Sequence, residues 1–584
     1  MKLGLFPILL FALAAPAFTQ TLPRGVVQKA SLGGITEYAY PNGLRVLLFP
    51  EPSNPKVTVN MTYLVGSRFE GYGETGMAHL LEHMNFIRST HDREIKNELT
   101  AHGAQWNGST DYDRTNYFET VTASDENLQW ALGLEAERMV NMRMEEALLD
   151  TEMTVVRNEF ERGENSVQNV LEERVVATSY LWHNYGKAVI GSRVDIERVP
   201  IDKLAAFYRK YYQPDNAVLV VAGQFDAAKA LAMVNETLGT IAKPTRTLDA
   251  TYTMEPVQDG ERFVELRRVG SAPVLTAVWH GPAFPHPDSA ALEILTGILV
   301  SGGGRGGGGG TGRLNKALVD AKKALTVRIG FQELHDPGFV SATATLSNDQ
   351  SLDDVRKTMM DTIAAVATTD LPPADEIARA KTRILQGMEA RMANAQQAAL
   401  GLSETIAGGD WRLYFVNYDQ IKAVTPADVV RVATLYFKAS NRTVGYFVPT
   451  PEPDRTDVPA TPDLETLLKD YKTELSVSAG EAFDSTPAAV EKRVIRGTLQ
   501  NGMKLVMLPK TSRGSTVTAT IQMRFDDEKS LTGLSATGAM AGSLLGRATK
   551  NKTRQQLQDE MLKLNARINV TGGATRVTAT VTTT

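Results

Sequence analysis

The chain has no cysteine. Disulfides, thiolate metal sites, cysteine nucleophiles and lipid-modified cysteines are therefore all excluded. Histidine is also scarce, 8 among 584 residues, so any clustering of it carries information. No basic block exists to hold a phosphate backbone, and with a formal net charge of −5 nothing points to nucleic acid. After the N-terminus no stretch reaches the ~18 consecutive apolar residues of a membrane-spanning helix.

The N-terminus reads as an export signal. Lys2 is followed by the apolar run "LGLFPILLFALAA", and Ala15-Pro16-Ala17 supplies the small residues that a signal peptidase cuts beside. A signal peptide over 1–17 predicts a periplasmic or secreted protein without a stable membrane span. The remainder is of ordinary globular composition, 42% hydrophobic and 22% charged. It is too long for one core, and about three to four domains are expected.

Two distant segments repeat. "YPNGLRVLLFP" at 40–50 matches "LQNGMKLVMLP" at 499–509: a turn-forming Asn-Gly, an apolar strand, then proline. Downstream, "GAQWNGSTDYDRTNYFETV" at 103–121 aligns with "NARINVTGGATRVTATVTT" at 565–583, setting Asn107 over Asn569 and Arg114 over Arg576. Two matches in the same order indicate a duplicated domain. Between them, residues 256–448 carry strands such as "APVLTAVWHGPA" and "GFVSATATL" with long helical patterns, and the proline-rich segment opening at 449 reads as an extended linker. The expected layout is an α+β domain over 18–255, a second over 256–448, a linker over 449–490 and a third unit over 491–584. Each domain is read as an antiparallel-rich sheet covered by helices.

The chemistry is concentrated in "ETGMAHLLEHMNF", residues 74–86. On a helix, positions i and i+4 lie ~40° apart, so His79 and His83 project from one face and both reach one ion. Glu82 stands beside that face, placed as a general base on a metal-bound water. A composition this poor in histidine predicts about 0.01 chance occurrences of the pattern. A catalytic zinc needs a third protein ligand and one open position. The helical stretch "DTEMTVVRNEFERGEN" at 150–165 offers Glu152, Glu159, Glu161 and Glu164, among which spacing alone does not choose.

His79-x-x-Glu82-His83 followed by Glu159 in "VVRNEF" resembles the inverzincin peptidases, the family of pitrilysin, insulysin and the mitochondrial processing peptidases. "PNGLRVLL", "GAQWNGSTDYDRTNYF", "HNYGKAVIGS", "GRLNKAL" and "HDPGFVSATA" resemble that family's landmarks in the same order. The resemblance implies a clamshell-half architecture holding one Zn²⁺ per chain on His79, His83 and Glu159. It implies Glu82 as the base and Glu152 as a supporting catalytic-site carboxylate. It further implies that the strand of Trp106, Asn107 and Gly108 pairs with an extended substrate. The expected activity is zinc-dependent endopeptidase action on peptides or unfolded segments. The rival reading is a non-catalytic partner or scaffold subunit, as some family members are.

Two stretches are read as silent. "SGGGRGGGGGTGR" at 301–313 lacks the Lys-Ser/Thr of a phosphate loop and reads as a flexible substrate-side loop. "GAMAGSLLGRAT" at 538–549, the third unit's counterpart of the metal helix, holds no histidine or carboxylate. The third unit stops at Thr584, within what aligns with the edge strand of the first. It is therefore read as incomplete, with a second half or partner subunit expected to close the chamber. The remaining histidines, His91, His102, His183, His280, His286 and His335, are read as structural or surface residues.

Overall fold

The computed structural model describes residues 22–301, 310–524, 527, 529, 532–573 and 575–584. The expected signal peptide and most of the glycine-rich stretch lie outside them.

Strand alternation decides the first sheet. Along β3 (Arg45–Pro50), Val46 and Leu48 enter one core and Leu47 another; along β7 (Ala217–Gly223), Leu219 and Val221 oppose Val218, Val220 and Ala222. Strands that are apolar on both sides must be covered on both. They lie at the centre of a seven-stranded sheet of order β1-β2-β3-β7-β4-β6-β5. The other strands are β1 (Val27–Leu32), β2 (Ile35–Ala39), β4 (Lys56–Tyr63), β5 (Gln105–Thr110) and β6 (Thr115–Thr122). Only the β3–β7 pair is parallel. Between β4 and β7 the chain adds α1 (Met77–Met84), α2 (Ile95–Ala101), α3 (Asp125–Val140), α4 (Glu146–Glu164) and α5 (Val167–Ser179).

One face of this sheet packs on α1, α3 and the helices Ile201–Tyr211 and Ala227–Glu236. The other face is covered from far along the chain, by the helix Ala395–Ala407. Asn60 on β4 donates to Ala399 O and Ser403 Oγ on that helix, both at 2.9 Å. A second sheet has order β10-β11-β9-β12-β8, built from β8 (Arg262–Arg268), β9 (Val274–His280), β10 (Thr326–Gln332), β11 (Phe339–Thr345) and β12 (Arg442–Pro449). In return, α5 lays Leu171, Val175 and Val176 against its Val274, Val278, Phe339 and Phe447. The mixed, helix-covered sheets are the α+β architecture expected. Across 255/256 each half lends the other a helix, and the two form one compact unit ending at Arg455.

Residues 456–584 form the second unit. Its strands β13 (Ile495–Thr498) and β14 (Lys504–Met507) pair as a hairpin. β15 (Val517–Arg524), β16 (Ala566–Gly572) and β17 (Arg576–Thr583) follow the order β15-β17-β16. This reproduces β4-β6-β5, with helices Ser535–Leu544 and Arg554–Lys563 standing in sequence where α1 and α2 stand. The repeat extends to single hydrogen bonds. Tyr40 N donates to Leu44 O and Leu499 N to Met503 O, both at 2.9 Å. Leu44 N and Met503 N each donate to the turn asparagine, Asn42 or Asn501, at 3.2 Å. Gly43 and Gly502 take φ of 100° and 84°, left-handed values that call for glycine. Unlike β4, which is buried along nearly all its length, β15 is exposed throughout. Among the described residues no helix is long and apolar enough to cross a membrane.

Candidate metal centre

The sequence of α1 buries Met77, Ala78, Leu80, Leu81 and Met84 against the first sheet, which leaves His79 and His83 on the remaining face. Its start has no side-chain cap on Gly76. Instead the buried Glu70 carboxylate accepts from Gly76 N and Ala78 N, each at 2.8 Å, occupying amides that a helix start leaves unpaired. Burial pushes the Glu70 carboxyl up to about 8, against those two bonds. The end of α1 is held by Arg138, whose Nε donates to Asn85 O at 3.3 Å, a cation at a helix C-terminus. Arg138 is itself fully buried, paired with Glu135 and 3.6 Å from Glu119.

α4 faces α1 along Leu149, Glu152 and Val156, the spacing of one helical stripe, and Glu159 continues it. Glu159 Oε2 lies 3.7 Å from His79 Nε2 and 3.5 Å from His83 Nε2. Donor atoms of the three residues all fall within 4.8 Å of one another, and no other such group of three occurs among the described residues. Ligands at ~2.0–2.1 Å from a tetrahedral zinc stand ~3.4 Å apart, so this donor set fits that ion. The glutamates that spacing left open separate here: Glu161 approaches Arg193 at 3.7 Å and Glu164 pairs with Arg268 at 2.8 Å. Glu152 lies behind the site, its Oε2 3.2 Å from His83 Nδ1 and its Oε1 3.8 Å from Lys96 Nζ.

Charge follows burial and neighbours. Burial, then His83, lower the His79 imidazole to about 4, which keeps it in the neutral form a ligand requires. Burial also lowers His83, but its bond to Glu152 and the carboxylates of Glu159, Glu82 and Glu152 outweigh this and raise it. Burial raises Glu82 above the usual carboxylate range, opposed by a bond from Thr110 and by His83. His79 Nδ1 has no partner among the described residues.

β5 is the terminal strand of its sheet, so one backbone edge is unpaired. Trp106 turns towards the α1 side, its ring 4.9 Å from that of Phe86. Gly108 lies against the Glu82 carboxylate. Asn107, between them, is exposed and points to the opposite face of the strand. The structure therefore brings His79, Glu82, His83, Glu152, Glu159, Trp106 and Gly108 to one place and turns the Asn107 side chain away from it. Thr110, Glu70, Lys96 and Arg138 were not singled out in the sequence. Thr110 carried a signal, since it follows Gly108 by two positions and must share its face.

A family profile described as "Insulinase (Peptidase family M16)" matches residues 45–193, and one described as "Peptidase M16 inactive domain" matches 198–384. The zinc protease PqqE of Helicobacter pylori is 27% identical over 455 residues, 76% of this chain and 98% of that one. A probable mitochondrial-processing peptidase subunit beta of Arabidopsis thaliana is 24% identical, over 68% of this chain and 75% of that one. The crystal structure of a protease from Helicobacter pylori superposes with a TM-score of 0.67 at 26% identity, covering 72% of this chain and all of that one.

Proposed function

The chain belongs to the M16 (insulinase) peptidase family, and from that premise we propose that it is a zinc-dependent endopeptidase cleaving peptides or unfolded protein segments. The observation that carries this is the convergence of His79, His83 and Glu159 around a space of zinc-ligand dimensions, with the Glu82 carboxylate beside it. His79, His83 and Glu159 would hold one Zn²⁺ per chain. When bound, that ion supplies Lewis acidity, acidifying water and polarising a carbonyl. Glu82 takes the proton from the attacking water and returns it to the leaving amine. Glu152 fixes the ring of His83 through Nδ1. The open edge of β5, at Trp106, Asn107 and Gly108, receives the substrate backbone as an added strand, in which backbone groups rather than the Asn107 side chain supply the bonds.

A second half or a partner subunit closes over the substrate in this reading. It is supported by relatives named as subunits, such as the processing-peptidase beta chain. The N-terminal run of residues 1–17 supports export to the periplasm or outside the cell. A non-catalytic scaffold role is the less favoured reading, because the His, Glu and metal-site geometry is intact.

The test is zinc content together with cleavage of a random peptide library. Wild type is expected to hold zinc and cleave. Glu82→Gln is expected to hold zinc and lose cleavage by about 10²-fold or more. Near wild-type turnover by Glu82→Gln would overturn the mechanism, and a zinc-loaded wild type without turnover would favour the scaffold.

A further inference from the structure

We propose that β5 is also the seat of the base, with Thr110 and Gly108 as the positioning residues that fix the Glu82 carboxylate. This rests on the reading of Glu82 as the proton acceptor. Thr110 Oγ1 donates to Glu82 Oε2 at 2.7 Å. A carboxylate near a reaction centre has two oxygens and a freely turning terminal torsion, so an unheld one presents either oxygen at many angles. The threonine hydroxyl engages one of them. Oε1 is then the oxygen left to take a proton.

Gly108 sets the other side. A β-carbon built there would stand 2.7 Å from Glu82 Oε1, 3.0 Å from its Cγ and 2.9 Å from Phe86 Cε2. Contacts that short are not accommodated without movement, and Phe86 is buried between Trp106 and Tyr117, at ring distances of 4.9 and 5.6 Å. The carboxylate would be the group to yield. Gly108 and Thr110 lie two apart on one strand, so both point to α1 and reach the same side chain. The glycine is thus required by the base and not by the backbone, since its φ is not in the left-handed range. The threonine hydroxyl also accepts from Thr115 Oγ1 at 3.5 Å, which leaves its own proton to Glu82.

The strand that receives the substrate backbone also orients the proton acceptor, so both share one rigid element. A general base contributes only when its oxygen is within reach of the proton, and a misplacement of about 1 Å costs on the order of 10²-fold.

The experiment compares Thr110→Val, Thr110→Ser, Gly108→Ala and Glu82→Gln in the full chain. It follows zinc content, thermal midpoint, kcat and KM on one peptide. Thr110→Val removes the donor at nearly constant volume and is expected to lower kcat about 10- to 100-fold while KM and zinc content stay within about twofold. Thr110→Ser keeps the donor and is expected to recover most of the loss. Gly108→Ala is expected to lower kcat in the same way with zinc retained. Wild-type kcat in Thr110→Val, failure of serine to rescue, or zinc lost in parallel with kcat would each overturn the seat. If Glu82→Gln is itself fully active, the reading of the base fails instead, which separates the two outcomes.

Discussion

Glu152 Oε2 sits 3.2 Å from His83 Nδ1, on the far side of the ring from Glu159, whose Oε2 is 3.5 Å from Nε2. One nitrogen is thus tied to a carboxylate while the other faces His79 and Glu159 across the candidate ion site, which fixes both tautomer and ring orientation. Burial raises Glu152, yet the bond to His83 and the charge of Lys96 overcome this and hold it below the ordinary carboxylate range. Glu152→Gln is expected to weaken zinc binding about 10- to 100-fold without abolishing it. Competition against a chelator at fixed pH measures this. Unchanged affinity would mean that packing alone sets the ring.

Every candidate ligand lies in the unit ending at Arg455, and the helix Ser535–Leu544 has no histidine or carboxylate. About one zinc per chain is therefore expected, with the same content in a chain shortened to residues 22–455. His83→Ala and Glu159→Gln should each lose most of it. Metal analysis of the purified proteins decides, and a stoichiometry of two would require a second site on the chain.

Arg138 lies beneath α1 with Glu119 and Glu135, and all three side chains are fully buried. Arg138→Met would leave two carboxylates facing each other without a counter-charge, a defect expected to cost about 3–5 kcal/mol. Adding Glu119→Gln and Glu135→Gln should recover much of that loss, because the burden is uncompensated charge and not volume. Thermal unfolding of wild type, Arg138→Met and the triple variant tests it. A triple variant no better than Arg138→Met would show that the bond from Arg138 to Asn85 O is the larger contribution.

The histidine pair of α1 was legible from sequence because its information is local: a four-residue spacing on a helix fixes a face. For the third candidate ligand, spacing alone did not choose among Glu152, Glu159, Glu161 and Glu164, which all lie on one helix, and only the family resemblance pointed to Glu159. The approach of α4 to α1 brings the same residue to the two histidines, while Arg193 and Arg268 engage Glu161 and Glu164. The duplication was legible for the same local reason, an Asn-Gly turn that recurs bond for bond. The shared core of the first two sheets was not. An amphipathic pattern over Ala395–Ala407 states that a helix has an apolar face but not that it buries this face on β4, more than three hundred residues earlier. Which face of its strand Asn107 takes was not legible either, because strand register, which the sequence leaves open, turns its side chain away from Glu82.

The last prediction concerns acid. Asp336, in the loop between β10 and β11, is the point where the second sheet's loop meets the first half of the chain. Arg68 Nη1 lies 3.0 Å from its Oδ2, His183 Nε2 3.1 Å from the same oxygen, and His335 Nδ1 3.1 Å from Oδ1. Asp113 shares Arg68, and Tyr185 donates to Asp113 while accepting from Asp336 N. Burial alone would raise Asp336, but the two imidazoles and Arg68 reverse this and hold its carboxyl far below the ordinary range. The folded state then binds fewer protons than the unfolded one, in which the group titrates near ~3.9. The stabilisation is therefore fully present above about pH 5 and is lost progressively as the pH falls through ~4 and below. Wild type should lose thermal stability steeply between about pH 5 and 2.5. Asp336→Asn should start lower at pH 6 and fall less steeply, so that the two curves converge on the acid side. Midpoints of the unit ending at Arg455 measure this. Parallel curves would show that Asp336 protonates alike in both states and that the clasp between the two halves depends on its shape and not its charge.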